Sequence, residues 1–298
     1  MKYSGIGGQA VMEGVMMKNG GQYAVAVRKP DGEIIVDTKD YKGILPFGIL
    51  KKIPFLRGIV NFIESLALGM KTLMYSASFY EEEEDTKSEA KEAFVMGVTM
   101  VISVVAAVVI FMLLPYFISS FFAEFINSYA VLAVLEGILR MVIFFTYILL
   151  ISRVEDIQRV FMYHGAEHKC INCIEHGMEL NVENVKKSSR LHKRCGTSFL
   201  FLVVCISIIF FIFIRTDSGL MRIVIRLILV PVIAGCAYEF IRLAGKSDNA
   251  LVSLLSRPGL ALQKLTTREP DDSMIEVGIA SVEAVFDWKA YIKENWKS

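Results

Sequence analysis

The sequence lacks a surplus of charge of either sign. Its 32 Lys and Arg against 31 Asp and Glu leave a net charge of +1 over 298 residues. A nucleic-acid binder works by displacing counterions with clustered positive side chains, so no nucleic-acid partner is expected. Cysteine is scarce and odd in number, five in all, at 170, 173, 195, 205 and 236. That count and scatter do not make a disulfide framework. No apolar signal segment follows Met1, where the chain is Gly-rich and polar instead. The run Gly5–Gly14 lacks the Gly-Lys-Ser/Thr ending of a phosphate loop and reads as tight turns rather than a nucleotide or anion nest. No repeat of fixed period is present.

Apolar residues are what the sequence has in excess. They make up 54% of the chain, above the roughly 45–50% of soluble domains. The excess sits in long blocks, each near the roughly 20 residues a helix needs to cross a bilayer. Four blocks qualify: Val95 to Ile118, Ala130 to Ile151, Ser198 to Ile214 and Ile223 to Leu243. The expected fold class is therefore a mainly α membrane protein, with four transmembrane helices and a cytosolic α+β portion. Lys and Arg are absent between the first two blocks. They are abundant between the second and third, at Arg153, Arg159, Lys169, Lys186, Lys187, Arg190, Lys193 and Arg194, while Arg215 and Arg222 edge the last connection. The positive-inside rule then puts both termini and the 152–197 segment in the cytoplasm of a bacterial plasma membrane, with the lipid bilayer as one partner.

The polar regions divide accordingly. Residues 1–54 form an N-terminal cytosolic region, in which Gln22–Arg28 and Glu33–Asp37 flank Pro30-Asp31-Gly32 as a β-hairpin. Residues 55–92 hold an amphipathic helix and the acidic linker Glu81–Asp85. In Phe55–Ala77 apolar residues recur at helical spacing, with Arg57, Asn61, Glu64 and Ser65 toward the other face; the helix lies either in the membrane interface or on the soluble part. Residues 93–151 carry the first two spans, 152–197 a His/Cys-rich loop and 198–243 the last two spans. Residues 244–298 are a cytosolic tail with a helix over Met274–Trp288, started by Pro270-Asp271-Asp272.

The loop is where chemistry is concentrated. All four histidines, at 164, 168, 176 and 192, fall within it, beside three of the five thiols. His164 and His168 are one helical turn apart, so their rings share a face and suit one divalent ion, zinc first. His164-Gly165-Ala166-Glu167-His168 has the order of an inverted zincin motif, in which Glu167 would take a proton from metal-bound water. Glu175, His192 and Cys195 compete for the remaining positions. On a straight helix Glu175 lies about 10 Å beyond His168, so either the chain bends or Glu175 serves a second site. A rival set, Cys170, Cys173, His192 and Cys195, would make a closed structural zinc site. Within the spans, Glu136, Arg140 and Glu239 are costly charges that mark an inter-helix pair, a cavity or a pathway.

These strings, together with Gly7-Gly8-Gln9-Ala10-Val11-Met12-Glu13-Gly14, Arg194-Cys195-Gly196-Thr197-Ser198-Phe199, Pro258-Gly259-Leu260 and Leu265–Pro270, resemble the bacterial membrane family called domain of unknown function 1385. The resemblance covers nearly the whole chain and implies a metal-dependent enzyme of unassigned substrate. It implies ligands within His164–Lys169, Glu175 and His192–Phe199. It also implies that Lys169, Arg194, Arg268, Glu269, Asp271 and Asp272 position those ligands. It does not require thiols at 170 and 173, and Lys193 stands where the family has Pro. The expected function is hydrolysis of a peptide, lipid or phosphoester at the cytoplasmic face. The first rival is a non-catalytic scaffold that docks a membrane-protein partner, such as protein-insertion machinery, or a second copy of itself. A transporter using Glu136 and Glu239 ranks third.

Overall fold

Alternation of small and large apolar side chains in the N-terminal region builds a sheet buried on both faces. The computed structural model describes residues 2–43, 50–80, 89–214, 216, 218–247 and 249–296. Strands β1 (Gly7–Val11), β2 (Gly14–Asn19), β3 (Gln22–Arg28) and β4 (Ile34–Asp40) form an antiparallel meander in the order β1-β2-β3-β4. In β3 the small Ala24 and Ala26 point to one face, and Tyr23, Val25 and Val27 to the other. The expected hairpin is present as β3-β4. The Gly5–Gly14 run is not a series of turns, which corrects the sequence expectation. It is strand β1 and a two-residue turn, with Glu13 at φ 48°. Gly8 and Gly14 serve close approach: a Cβ on Gly14 would collide with the Ala26 carbonyl across the sheet.

Helix α1 (Leu56–Ala77) covers the large-residue face through Leu68, with Tyr75 and Phe79 behind it. Its other neighbour is a long apolar helix described below, reached by Asn61 and Arg57. Glu64 does not lie on an outer polar face as expected; it is 3% exposed. The packed face instead carries Gly58, Glu64, Thr72 and Ser76. The outward face carries Leu56, Ile63, Leu66 and Leu73, each about two-fifths exposed.

The next elements are α2 (Glu89–Val108), a π-helical turn (Val109–Leu113), α3 (Leu114–Ser120), α4 (Tyr129–Ile151), α5 (Glu155–Glu175), α6 (Val182–Lys187), α7 (Gly196–Ile212), α8 (Gly219–Lys246), α9 (Ala250–Thr266), α10 (Asp272–Glu283) and α11 (Trp288–Asn295). Among the described residues, three helices are long and apolar enough to cross a membrane: Gly97–Ser120, Tyr129–Ile151 and Gly219–Lys246. The third expected block, α7, is a shorter apolar helix of 17 residues. The π-turn has a local cause. Pro115 has no N–H to give the Phe111 carbonyl one turn earlier, and its ring crowds that turn. Arg140 Nε of α4 donates to the Phe111 oxygen instead, at 2.9 Å.

The small-residue face of the sheet receives α5 and α10. Tyr163, Ile171 and Ile174 of α5 and Met274, Ile275 and Val277 of α10 pack there with Val15, Met17, Ala24 and Ala26. The tail departs from expectation in two ways. Helix α9 follows the last span, and the expected 274–288 helix breaks after Glu283, to restart at Trp288 under an Asp287 cap. The acidic run Glu81–Asp85 and Arg215 lie outside the described residues. Because Ala26 is fully buried opposite α10, Ala26→Leu should overpack this layer. A cost of about 1–3 kcal/mol is expected, read as a lower Tm of the detergent-solubilised protein.

Candidate metal centre

Helix α5 starts on Glu155 and Asp156, which suit its positive dipole end, and runs unbroken to Glu175. Residues 164, 168, 172 and 175 therefore share one face. Gly165 lets that helix close on the α9–α10 connection, where a Cβ would collide with the Arg268 carbonyl oxygen. Two carbonyls then fix the rings. His164 Nδ1 donates to Thr266 O at 2.9 Å, and His168 Nδ1 to Arg190 O at 2.7 Å. A carbonyl only accepts, so each ring carries its proton on Nδ1 and turns Nε2 the other way, the arrangement that orients imidazole ligands on a metal.

The third donor comes from outside α5. Cys195 is the N-cap of α7, its Sγ accepting from Thr197 N at 3.4 Å. That sulfur lies 3.2 Å from His164 Nε2. Ligand atoms of His164, His168 and Cys195 all fall within 4.8 Å of one another. A tetrahedral zinc site, with ligand bonds of about 2.0–2.3 Å, places its donors about 3.3–3.7 Å apart. The three residues are thus close enough to hold such an ion after adjustment of the donor separations. The electrostatics agree with an ionised thiol. Burial would raise the Cys195 pKa, but His164 and His168 beside it hold it well below the ordinary thiol range. Burial would lower that of His164, yet the Cys195 charge and hydrogen bond, with Glu167, push it up to about 9.

Glu167 is 5% exposed and lies against β1. Burial raises its pKa against the lowering effects of His168, His164 and a hydrogen bond from the Gly8 backbone. A Cβ on Gly8 would collide with the Met16 carbonyl and crowd Glu167 Cγ. Glycine at 8 therefore lets the strand approach the helix.

Glu175 and His192 stand apart from the three-donor cluster. α5 does not bend, and Glu175 is taken up in a buried ion pair with Arg194. Fully buried, its carboxylate accepts from Ser4 N at 2.8 Å, Ser4 Oγ at 2.7 Å and Arg194 Nη2 at 2.6 Å, with His192 Nε2 at 3.4 Å. The rival set of Cys170, Cys173, His192 and Cys195 is not brought together. Cys170 and Cys173 point about the far side of α5 into the apolar core, where burial pushes both thiols up, Cys173 to about 11. Cys173 Sγ donates to Glu179 O at 3.4 Å. His176 folds back onto its own helix, Nδ1 to Asn172 O at 2.7 Å.

Of the residues singled out by resemblance, Lys169 and Glu269 reach the Arg190 stretch behind His168, whereas Arg268, Asp271 and Asp272 bond elsewhere. Buried Lys169 donates to Lys186 O and Ser188 O and pairs with Glu269 at 2.9 Å. Glu269 also holds Arg190, whose carbonyl anchors His168. Arg268 reaches Gln158 and Ser152 O, Asp271 caps α10, and Asp272 pairs with Lys186. Sequence reasoning missed four contributors: the Thr266 and Arg190 carbonyls, Asn172, and Gln263. Gln263 is fully buried and clamps His192 N, His192 O and Ser198 Oγ at 2.8 Å each. Asn172 carried a signal, lying one turn beyond His168; it ties down Ser189 O and Leu191 O. Backbone carbonyls and Gln263 carried none.

A largely helical protein with three helices of membrane-crossing length, and a buried two-histidine, one-cysteine cluster at the start of a shorter apolar helix, is the class these features define. The chain belongs to the family described as Protein of unknown function (DUF1385), which matches residues 53–288. It is similar to the uncharacterized protein YqhQ of Bacillus subtilis (strain 168), 36% identical over 302 residues covering 98% of this chain and 95% of that protein. No solved structure matches it.

Proposed function

We propose that this protein is a metal-dependent enzyme of the bacterial plasma membrane, a hydrolase whose divalent ion, zinc by its donor set, is held by His164, His168 and Cys195. One observation carries the reading: both imidazoles spend Nδ1 on backbone carbonyls, so that their other nitrogens face a low-pKa thiol. With three protein ligands, a bound ion supplies a polarised water or Lewis acid at its open position. Glu167, buried beside the pair, is the residue assigned to accept that water's proton. The substrate is a peptide, lipid or phosphoester presented at the membrane surface.

The membrane arrangement proposed is four spans with both termini in the cytoplasm. Helix α7 reaches about 26 Å along its axis, somewhat short of a hydrocarbon core of about 30 Å. It packs against both α4 and α8, which supports its crossing with them. The Lys and Arg between α4 and α7 set the orientation. The outward apolar face of α1 then lies on the inner leaflet.

A structural role has its own support, because His168 and Cys195 are only 2% and 5% exposed. In that reading the ion staples α5, the 189–195 connection and the α9–α10 link. Elemental analysis of the purified full chain tests the metal. Wild type should carry about one ion per chain, and His164→Ala and Cys195→Ser should lose it. Glu167→Gln separates enzyme from staple: it should keep the ion yet fail to complement a deletion strain. Retention of both metal and complementation by Glu167→Gln sinks the hydrolase and leaves the scaffold.

A further inference from the structure

A second polar cluster lies inside the helical bundle, and the metal reading does not involve it. Glu136 of α4 bridges two guanidinium groups, Arg140 Nη2 at 2.8 Å and Arg226 Nη2 of α8 at 2.6 Å. Arg140 is otherwise satisfied, by Ser207 Oγ at 2.6 Å and the Phe111 carbonyl. Arg226 is not. It is 5% exposed, and among the described residues its Nε and Nη1 have no hydrogen-bond partner. Arg222, one turn earlier, gives Nη2 to Thr216 O, while its buried Nε is likewise unpartnered.

Among the described residues the charge therefore does not balance. One carboxylate faces two buried guanidinium groups, with a third at the rim. An uncompensated charge is costly at such depth, as is each orphan donor. Arg222 and Arg226 line a cleft of about 40 Å³ with Tyr116, Ser119, Glu136 and Phe211. The volume suits a group of a few heavy atoms. The aromatic rings hold the guanidinium planes, Arg226 lying 4.9 Å from both Tyr116 and Phe211. Phe211, which lines the cleft, is sixteen residues along α7 from Cys195, so the cleft lies about 24 Å from the histidine cluster, toward the other end of the bundle.

We propose that this cleft binds a phosphate-type anion, whose oxygens take the free Arg226 and Arg222 donors and whose charge completes the cluster. Guanidinium forks match phosphate oxygens in geometry as well as charge. Two sources share that chemistry, the headgroup of a phospholipid in the surrounding leaflet and free inorganic phosphate. The site stands whether or not the histidine cluster holds a metal.

The test uses the delipidated full chain in neutral detergent. Tm and 31P line width are followed while dihexanoyl phosphatidylglycerol, inorganic phosphate, or an uncharged lipid of equal chain length is added. A rise in Tm with the phosphate lipid alone assigns the headgroup, and an equal rise with inorganic phosphate assigns the free ion. The uncharged lipid should do neither. Arg226→Gln should abolish the effect, and Arg222→Gln should weaken half-saturation at least about tenfold, the worth of a charged hydrogen bond. If Arg226→Gln fails to fold, Arg222→Gln decides. The proposal is overturned if neither phosphate probe protects, if the uncharged lipid protects equally, or if binding is unchanged in Arg222→Gln.

Discussion

Replacement of Glu175 by alanine is expected to cost about 3–5 kcal/mol, the loss that follows when one partner of a buried ion pair is removed. The carboxylate is fully buried and joins three otherwise separate pieces of chain: the N-terminal Ser4, the end of α5, and the Arg194–His192 stretch before α7. Its removal strands the Arg194 guanidinium, which rests on Tyr3. The same group makes the protein acid-labile, with a definite window. Burial would raise the Glu175 pKa, but the hydrogen bond from His192, the charges of Arg194 and His192, and the Ser4 N–H hold it at about 2. Its folded value is below its unfolded one, so its contribution is complete above about pH 4.5 and disappears as the pH falls toward 2. Full loss amounts to about 3 kcal/mol. His192 acts in the same direction. Burial, with Arg194 and His168 nearby, lowers its pKa to about 4 from 6.5 despite Glu175, so protonation between those values favours the unfolded chain. Melting temperature against pH should therefore begin to fall near pH 6.5 and fall again below 4.5. In Glu175→Gln the lower step should vanish; its persistence there would refute the assignment.

Glu136→Leu is expected to be the most damaging change within the bundle, again by about 3–5 kcal/mol. It leaves Arg140 and Arg226 buried and facing one another without the carboxylate between them. Arg140→Leu should cost less, because Glu136 keeps its 2.6 Å pair with Arg226. Detergent melts of the two variants compare them directly. Equal losses would mean that Glu136 does not act as the shared counter-ion, and that the cluster is two independent contacts.

The apolar blocks and the histidine spacing were readable because each is a local pattern. His164 and His168 share a face whenever residues 155–175 are helical, and nothing in that stretch breaks the helix. Cys195 was one of several candidates until the fold chose it. Cys170 and Cys173 are closer to the histidines in sequence, yet helical rotation carries them into the core under α10, where Gly278 leaves room for the Cys170 sulfur. The Arg226 end of the Glu136 pair was similarly hidden. Arg140 is an i,i+4 neighbour and was visible; Arg226 is ninety residues away and meets Glu136 only because α4 and α8 both pack against α7.

By itself the sequence determined the mainly helical character, the apolar rods, the β3-β4 hairpin and the two-imidazole face, since periodicity and hydrophobicity act through the residues that carry them. Only the tertiary structure decided which thiol meets those imidazoles, which carbonyls hold their Nδ1 protons, and that Glu175 binds the N-terminus instead of joining them. Those choices rest on contacts between distant segments, and they are made by which faces must be buried together.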